Sequence, residues 1–261
     1  MKRDLKFGFR VQNLRPLALG WVIALALLPF GWMNTVLAKQ PVAVDLQLVL
    51  AVDVSGSVDA HDFALQMDGI ASALRNPSVI DAIKSGPHRR IAVSLVLWSD
   101  PERPKVATAW YVLDDEASAD LFAREVESQP QSGAGGTGIG RALLFSINQF
   151  DDNGMTSGRK VIDLSGDGRE NLFGERSVRP QAARLLASER GITINGLAIL
   201  TDEPMLDLYY KHDVIIGADA FVMSVENLPD FAEAMRRKLV REISHFAQKN
   251  RLEGQVVGVL D

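Results

Sequence analysis

Three short polar motifs could together hold a divalent cation, and the first comes at the end of an apolar run. This motif is Asp53-x-Ser55-x-Ser57, and the run over 44–54 is typical of a buried β-strand. Open α/β sheets bind ligands at the carboxyl ends of their strands, and hard oxygen donors suit Mg²⁺ or Mn²⁺ rather than zinc or copper. The same residues also suit a tight turn and a helix N-cap, so this motif alone leaves both interpretations open.

The second motif is the glycine-rich segment 132–140, which contains Thr137 and precedes a helix predicted over 141–150. A nucleotide-binding loop is disfavoured, because no Gly-Lys-Ser/Thr follows and the segment comes after a predicted helix rather than a strand. The hydroxyl of Thr137 is the oxygen donor at the centre of the segment. It is a candidate metal ligand, with a helix N-cap as the alternative.

The third motif is Ser165-Gly166-Asp167-Gly168, which follows an apolar strand predicted over 160–164. A carboxylate at the end of a buried strand is costly to desolvate unless it is paired or lies near a cation. Asp167 is therefore a candidate metal ligand. A plain turn is the alternative, because Asp-Gly favours turns.

Composition excludes several classes of function. The chain has 261 residues, a formal net charge of -5 and no cysteine. The acidic balance provides no electrostatic footprint for nucleic acid. The absence of cysteine excludes disulfides, thiolate metal sites, a cysteine nucleophile and a lipid-modified cysteine.

Residues 1–38 have the three-part layout of a secretory signal peptide: a basic start, an apolar run over 17–30 and the small-residue segment Val36-Leu37-Ala38. The apolar run is shorter than the roughly 20 residues that a spanning helix needs, which disfavours the alternative of a retained membrane anchor. We therefore predict an exported protein, periplasmic or secreted, with no stable membrane span after signal cleavage.

Strand and helix patterns alternate along the rest of the chain. Strands are predicted over 45–54, 90–98, 106–113, 160–164, 192–199 and 220–225, and the main helices over 60–74, 116–129, 141–150, 179–190 and 228–246. This alternation predicts an α/β fold: a doubly wound, mostly parallel six-stranded sheet with one antiparallel edge strand and helices on both faces. We predict one domain over 42–246 and a C-terminal tail over 247–261.

The last predicted helix, 228–246, has an apolar face and a basic face. Arg236, Arg237, Lys238 and Arg241 are predicted to form its solvated face, where the helix dipole favours positive charge near the C-terminus.

In a doubly wound sheet the strands before Asp53 and Asp167 can be neighbours, with the Thr137 loop beside them. The three motifs then resemble, in order and spacing, the metal-ion-dependent adhesion site of von Willebrand factor A-type (vWA) domains. The resemblance covers about 44–245, and the single-domain form is similar to a secreted bacterial family of uncharacterised function.

The resemblance implies a role for each residue of the site. Ser55, Ser57 and Thr137 offer hydroxyls to Mg²⁺ or Mn²⁺, while Asp53 and Asp167 bind the ion directly or through waters. An open coordination position then accepts an Asp or Glu carboxylate from a partner protein. In some members of the family the last helix shifts on binding, and the matching element here is 228–246.

The leading hypothesis is therefore an exported protein-interaction module and not an enzyme. The loops 98–104, 168–180 and 201–219 would surround the metal face and set specificity. A Mg²⁺-dependent hydrolase is the alternative, but it needs a general acid or base, and His61 is the only nearby histidine. A structural vWA-like domain without metal-dependent binding is a further alternative, disfavoured by the full ligand set.

Overall fold

A computed structural model describes residues 40–102, 105–174 and 177–244. The predicted signal peptide, 1–38, and the predicted tail, 247–261, lie outside the described residues. The strands are β1 (Val42–Ala43), β2 (Gln47–Asp53), β3 (Ile91–Trp98), β4 (Val106–Ala107), β5 (Tyr111–Leu113), β6 (Met155–Thr156), β7 (Lys160–Gly166), β8 (Ile192–Ile199) and β9 (Val222–Val225). The helices are α1 (Ala60–Arg75), α2 (Pro77–Lys84), α3 (Glu116–Glu127), α4 (Ile139–Asn148), α5 (Pro180–Glu189), α6 (Leu206–Tyr209) and α7 (Phe231–Ile243).

The main sheet has the strand order β4-β3-β2-β7-β8-β9, and β5 also pairs with β3. The five strands from β3 to β9 in this order run parallel, whereas β4 and β5 are antiparallel to β3. The chain moves outward from β2 to β3 on one side and later resumes at β7 on the other. The strand order therefore reverses between β2 and β7, which is the point where doubly wound sheets bind ligands.

Helices cover both faces of this sheet, which confirms the predicted fold class. All seven residues of β2 are buried, because their side chains alternate between two apolar cores. Leu48, Leu50 and Val52 enter the core that α1, α2, α3 and α7 cover, and Val49 and Ala51 enter the core under α4, α5 and α6.

The antiparallel edge differs from the prediction of one strand over 106–113. It consists of the two short strands β4 and β5, so the described residues form a sheet of seven strands rather than six. The interruption has a local cause in Thr108, whose hydroxyl accepts a hydrogen bond from the Leu95 N–H at 3.0 Å. The Ser94 hydroxyl donates to the Thr108 carbonyl at 3.0 Å. The Thr108 N–H still donates to the Leu95 carbonyl at 3.0 Å, and the side-chain bonds replace the other backbone bonds of the ladder at this point.

The prediction for the last helix is wrong in two respects. Leu228–Asp230 forms a 3₁₀ turn, and α7 begins only at Phe231. Lys238 is not on the solvated face but is fully buried, where its ammonium forms ion pairs with Asp163 of β7 and with Glu242. Two buried carboxylates require a cation, and the alkyl stem of lysine can cross the apolar layer to supply one.

The start of the domain is fixed by a small second sheet. Strand β1 pairs in parallel with β6, and the Val44 N–H donates to the Thr156 carbonyl at 2.9 Å.

Among the residues that the structure describes, none of the helices combines the length and apolarity needed to cross a bilayer.

Candidate metal centre

The first motif leaves β2 as a tight turn. Asp53 is completely buried, and one of its oxygens, Oδ1, accepts a hydrogen bond from the Ser55 N–H at 2.8 Å. The other oxygen, Oδ2, is buried without a hydrogen-bond partner. Helix α1 is capped by Asp59. Its Oδ1 accepts hydrogen bonds from the His61 N–H at 2.7 Å and from the Asp62 N–H at 2.9 Å. The N-cap interpretation of the first motif is therefore wrong, although the turn is present.

The second motif places Thr137 beside the first without using it as a cap. The N-cap of α4 is Gly138, which makes no side-chain capping bond. The Gly140 N–H instead donates to Oε2 of Glu170 at 3.0 Å. The Thr137 N–H donates to Oδ1 of Asn171 at 2.8 Å, which holds the loop in place.

Glycines allow the backbones of these two loops to approach each other closely. Gly135 has φ +83°, a conformation that other residues rarely adopt, and its carbonyl accepts from the Gly56 N–H at 3.0 Å. A Cβ on Gly133 would stand 1.6 Å from the Val54 carbonyl oxygen. A side chain at either position would push the second loop away from the first.

The third motif completes the cluster, because β7 is the parallel neighbour of β2. Asp167 follows β7 directly, and its Oδ1 is buried without a hydrogen-bond partner. The Thr137 hydroxyl donates to Oγ of Ser55 at 3.4 Å, and this oxygen lies 3.4 Å from Oγ of Ser57. The structure thus brings together the five residues that the sequence singled out.

The carboxylates of this cluster are electrostatically strained in the absence of a cation. Burial raises the pKa of Asp53 well above its usual value, and the charge of Asp167 raises it further. Burial also raises the pKa of Asp167, against the lowering effect of a hydrogen bond from Ser57. A divalent cation would favour the charged form of both groups.

The donor set fits a hard cation. It combines two carboxylates with three hydroxyls, and oxygen donors of this kind suit Mg²⁺ and Mn²⁺. The described part of the chain contains no group of three or more histidine, aspartate or glutamate side chains that could hold a metal.

Each of the three loops expected around the metal face contributes a residue that sequence reasoning missed. Asp100 accepts at Oδ2 from the Gly136 N–H at 3.5 Å, and Asn171 holds Thr137 as described. From the third loop, the Tyr210 hydroxyl is buried without a hydrogen-bond partner, and burial beside Asp53 raises its pKa. Their location in these loops was the only signal, since nothing in their types or spacing marks them.

The Tyr210 hydroxyl and the Asp53 carboxylate both lie close to Gly166. A Cβ on Gly166 would stand 2.8 Å from the Tyr210 hydroxyl and 2.9 Å from Oδ2 of Asp53. The absence of a side chain there leaves room for both polar atoms. Tyr210 opens a π-helical segment, Tyr210–Val214, and such segments are frequent at functional sites.

Comparison with known proteins places the chain in a family. Residues 43–247 match the family model described as a protein of unknown function, DUF1194. No curated protein matches the sequence significantly.

Several solved structures share the fold. The pilus adhesin SpaC from Lactobacillus rhamnosus GG matches with a TM-score of 0.57 and 15% identity, over 79% of this chain and 31% of that chain. The vWF domain of the type V pili tip protein Mfa5 from Porphyromonas gingivalis matches with a TM-score of 0.52 and 12% identity, over 77% of this chain and 96% of that chain. Proximal thread matrix protein 1 from the mussel byssus matches with a TM-score of 0.50 and 12% identity, over 77% of this chain and 48% of that chain.

The chain thus spans less than half the length of the SpaC and mussel chains that it matches. At these identities the matches show the fold alone. The chain belongs to the DUF1194 family of proteins of unknown function, and its fold is that of a vWA domain.

Proposed function

We propose that this protein is an exported, metal-dependent binding module and not an enzyme. In this proposal Asp53, Ser55, Ser57, Thr137 and Asp167 bind Mg²⁺ or Mn²⁺, and the protein uses the ion to hold an Asp or Glu side chain of a partner protein. The observation that carries the proposal is the convergence of three loops on two buried carboxylate oxygens that have no partner, beside a chain of three hydroxyls.

The chain's own residues preorganise these ligands. The Ser55 N–H fixes Oδ1 of Asp53, so that Oδ2 remains for the cation. Asn171 accepts from the Thr137 N–H at 2.8 Å, and its amide nitrogen lies 3.4 Å from the Thr137 hydroxyl. When bound, the ion supplies an electrophilic coordination position for a carboxylate, because neutral hydroxyls neutralise its charge only in part.

Two of the similar structures support a role in adhesion. SpaC is a pilus adhesin and Mfa5 is a pilus tip protein. A surface role of this kind agrees with the signal-peptide pattern of residues 1–38. Cell fractionation tests the export: we expect the protein outside the cytoplasm, and a purely cytoplasmic protein would contradict that part of the proposal.

Calorimetric titration of Mg²⁺ and Mn²⁺ into the chelator-treated full chain tests the site. We expect saturable binding at one site, lost in Asp53→Ala and Thr137→Ala. Thr156→Ala is the matched control, because this exposed threonine of β6 lies in the small second sheet. Binding that persists in both site variants would place the metal elsewhere, and no binding by the wild type would favour the structural alternative.

The hydrolase alternative retains one observation: exposed His61 lines the same groove as Asp167. An enzyme would need such a group as a general acid or base. Incubation of the Mg²⁺-loaded protein with p-nitrophenyl phosphate and p-nitrophenyl acetate tests this. We expect no turnover, whereas turnover that His61→Ala abolishes would favour the enzyme.

A further inference from the structure

A basic groove of about 480 Å³ lies between helix α7 and the edge strand β9. Half of the side chains that line it are arginines. The lining residues are Met223, Arg236, Arg237, Val240, Arg241 and Ser244. None of them belongs to the candidate metal centre, so a ligand of this basic groove would be distinct from the ligand proposed for the metal.

Two of the three arginines have no acidic partner among the described residues. Arg236 is neutralised by Glu233, whose Oε1 lies 2.6 Å from its guanidinium. Arg237 and Arg241 are exposed and form no ion pair within the part of the chain that the structure describes. The guanidinium of Arg241 stacks on the ring of Phe221, 3.7 Å from the ring centroid, which holds it in place. The basic groove therefore offers two guanidinium groups to an anionic ligand.

The outer edge of β9 is open. This strand ends the strand order of the main sheet, and no described strand pairs with its outer side. The Phe221 and Val225 carbonyls accept hydrogen bonds from the β8 side at 3.0 and 2.8 Å. Backbone groups alternate in direction along a strand, so those of Val222 and Ser224 face outward. The strand contains none of the charged residues or prolines that protect many edge strands from pairing.

The spacing of the two arginines matches the side-chain repeat of an added strand. Side chains alternate between the faces of a sheet, so every second side chain of a strand paired with β9 would face α7, as Met223 does. These side chains repeat every 6.6 Å or so, roughly twice the rise per residue of a strand. Arg237 and Arg241 are separated by about 6 Å along the helix axis. Carboxylates at alternate positions of the added strand would therefore reach both guanidinium groups.

We propose that the edge of β9 binds an extended acidic segment of a partner protein as an additional strand. Backbone pairing with Val222 and Ser224 holds the segment, and Asp or Glu at alternate positions binds Arg237 and Arg241. The β9 edge of a second copy is disfavoured as the occupant, because antiparallel pairing of two such edges brings like charges together. The proposal goes beyond the proposed function and does not depend on a metal ion.

Selection from a library of random short peptides, with the full chain immobilised in chelator, tests this proposal. The chelator silences the proposed metal site, so failure here leaves the proposed function intact. We expect enrichment of Asp or Glu at positions two apart in the selected peptides. No enrichment of acidic residues, or enrichment without this spacing, would overturn the proposal. Cosedimentation of the protein with phosphatidylglycerol vesicles, without any peptide enrichment, would assign the basic groove to an anionic lipid surface instead.

Charge reversal then tests the location. For a selected peptide, we expect Arg237→Glu with Arg241→Glu to weaken binding at least about tenfold, since two charge-assisted contacts become repulsive. Arg124→Glu with Lys211→Glu is the matched control, because it changes the net charge equally at exposed positions outside the basic groove. Equal binding by the two double variants would overturn the proposal.

Methylation of the peptide's backbone nitrogens tests strand addition on the wild-type protein, independently of how the variants fold. Two versions of the selected peptide carry methyl groups on alternate nitrogens, one on the odd and one on the even positions. In an added strand only one of these sets faces β9, so we expect one version to bind at least about tenfold more weakly and the other to bind nearly as well as the parent peptide. Equal effects of the two versions would overturn the added strand.

Discussion

Two clusters of buried carboxylates lie along β7, and they are balanced differently. In the middle of the strand, Asp163 and Glu242 share the ammonium of Lys238, which stands 2.7 Å from Oε1 of Glu242. Just past the end of the strand, Asp167 lies beside Asp53, and each has a buried oxygen without a hydrogen-bond partner. We call these the lysine cluster and the metal cluster.

The difference shows at which cluster the fold supplies the counter-charge for its buried carboxylates from its own residues. The lysine cluster contains its own cation, which α7 supplies, and the amide of Asn195 donates to Glu242 at 2.9 Å. Both oxygens of Asp163 and Oε2 of Glu242 are also buried without a hydrogen-bond partner, so the two clusters differ in the cation and not in hydrogen bonding. The metal cluster offers oxygens alone, at the sheet edge where a ligand can enter. Buried charge is tolerated only when it is paired, so an internal cation serves one cluster, and in the proposed function an external cation serves the other.

Lys238→Met should have the largest effect, because it leaves two buried carboxylates without their cation. We expect the free energy of unfolding in urea to fall by about 3–5 kcal/mol. Arg237→Met, at an exposed position of the same helix, should change it by less than about 0.5 kcal/mol. Equal effects of the two variants would show that the lysine cluster does not need its lysine.

Asp163→Asn tests the same cluster through pH. Burial and the charge of Glu242 raise the pKa of Asp163 from 3.8 to about 7. The folded state therefore binds a proton at Asp163 more tightly than the unfolded state does. The stability that this proton binding gives the fold is lost as the pH rises from about 4 through about 7.

We expect wild-type stability to fall by about 2–4 kcal/mol relative to Asp163→Asn across that window. Urea unfolding of both proteins at several pH values measures this difference. A difference that does not vary with pH would contradict the prediction.

Asp53→Asn should have opposite effects on stability and metal binding. Without metal, removing a buried charge should stabilise the fold by about 1–3 kcal/mol. In Mg²⁺ the variant should lose the stabilisation that ligand binding gives the wild type. Thermal unfolding with Mg²⁺ and with chelator measures both effects. Asp68→Asn, at an exposed position, should change neither, and a destabilised metal-free Asp53→Asn would contradict the comparison.

Tyr210→Phe should have the smallest effect. The hydroxyl has no hydrogen-bond partner, so its removal should change stability by less than about 1 kcal/mol. If the hydroxyl orients Asp53 around the ion, Mg²⁺ affinity should fall a few-fold by calorimetry. An unchanged affinity would limit Tyr210 to packing.

The fold class and the convergence of the five cluster residues could be predicted because both depend on local patterns, whereas the metal-binding role of these residues stays a prediction. Apolar strands can be recognised by their composition, and parallel topology brings their carboxyl ends to one edge of the sheet. The lysine cluster could not be predicted in this way. Lys238 lies in a basic run that suits a solvated helix face, and its burial depends on how α7 rests on β7.

The unpredicted residues of the site have the same explanation. Asp100, Asn171 and Tyr210 make their contacts with residues distant in sequence, and no spacing rule connects them. The break between β4 and β5 depends likewise on Thr108 meeting Leu95 across the hairpin. Local sequence patterns predict the strands and helices. Which further side chains contact the site depends on tertiary contacts that these patterns do not show.

The small second sheet has a consequence for how the domain can be tethered. Val44 enters beside Thr156, and a guanidinium nitrogen of Arg159 donates to the Glu242 carbonyl at the end of α7 at 2.8 Å. Entry and exit of the described chain thus share the edge where β2 and β7 begin, roughly 20 Å of strand away from the metal cluster. A fluorophore, surface anchor or fused protein attached at either point leaves the opposite pole unobstructed. In the proposed function, the domain is thus held at its base while its tip meets the partner.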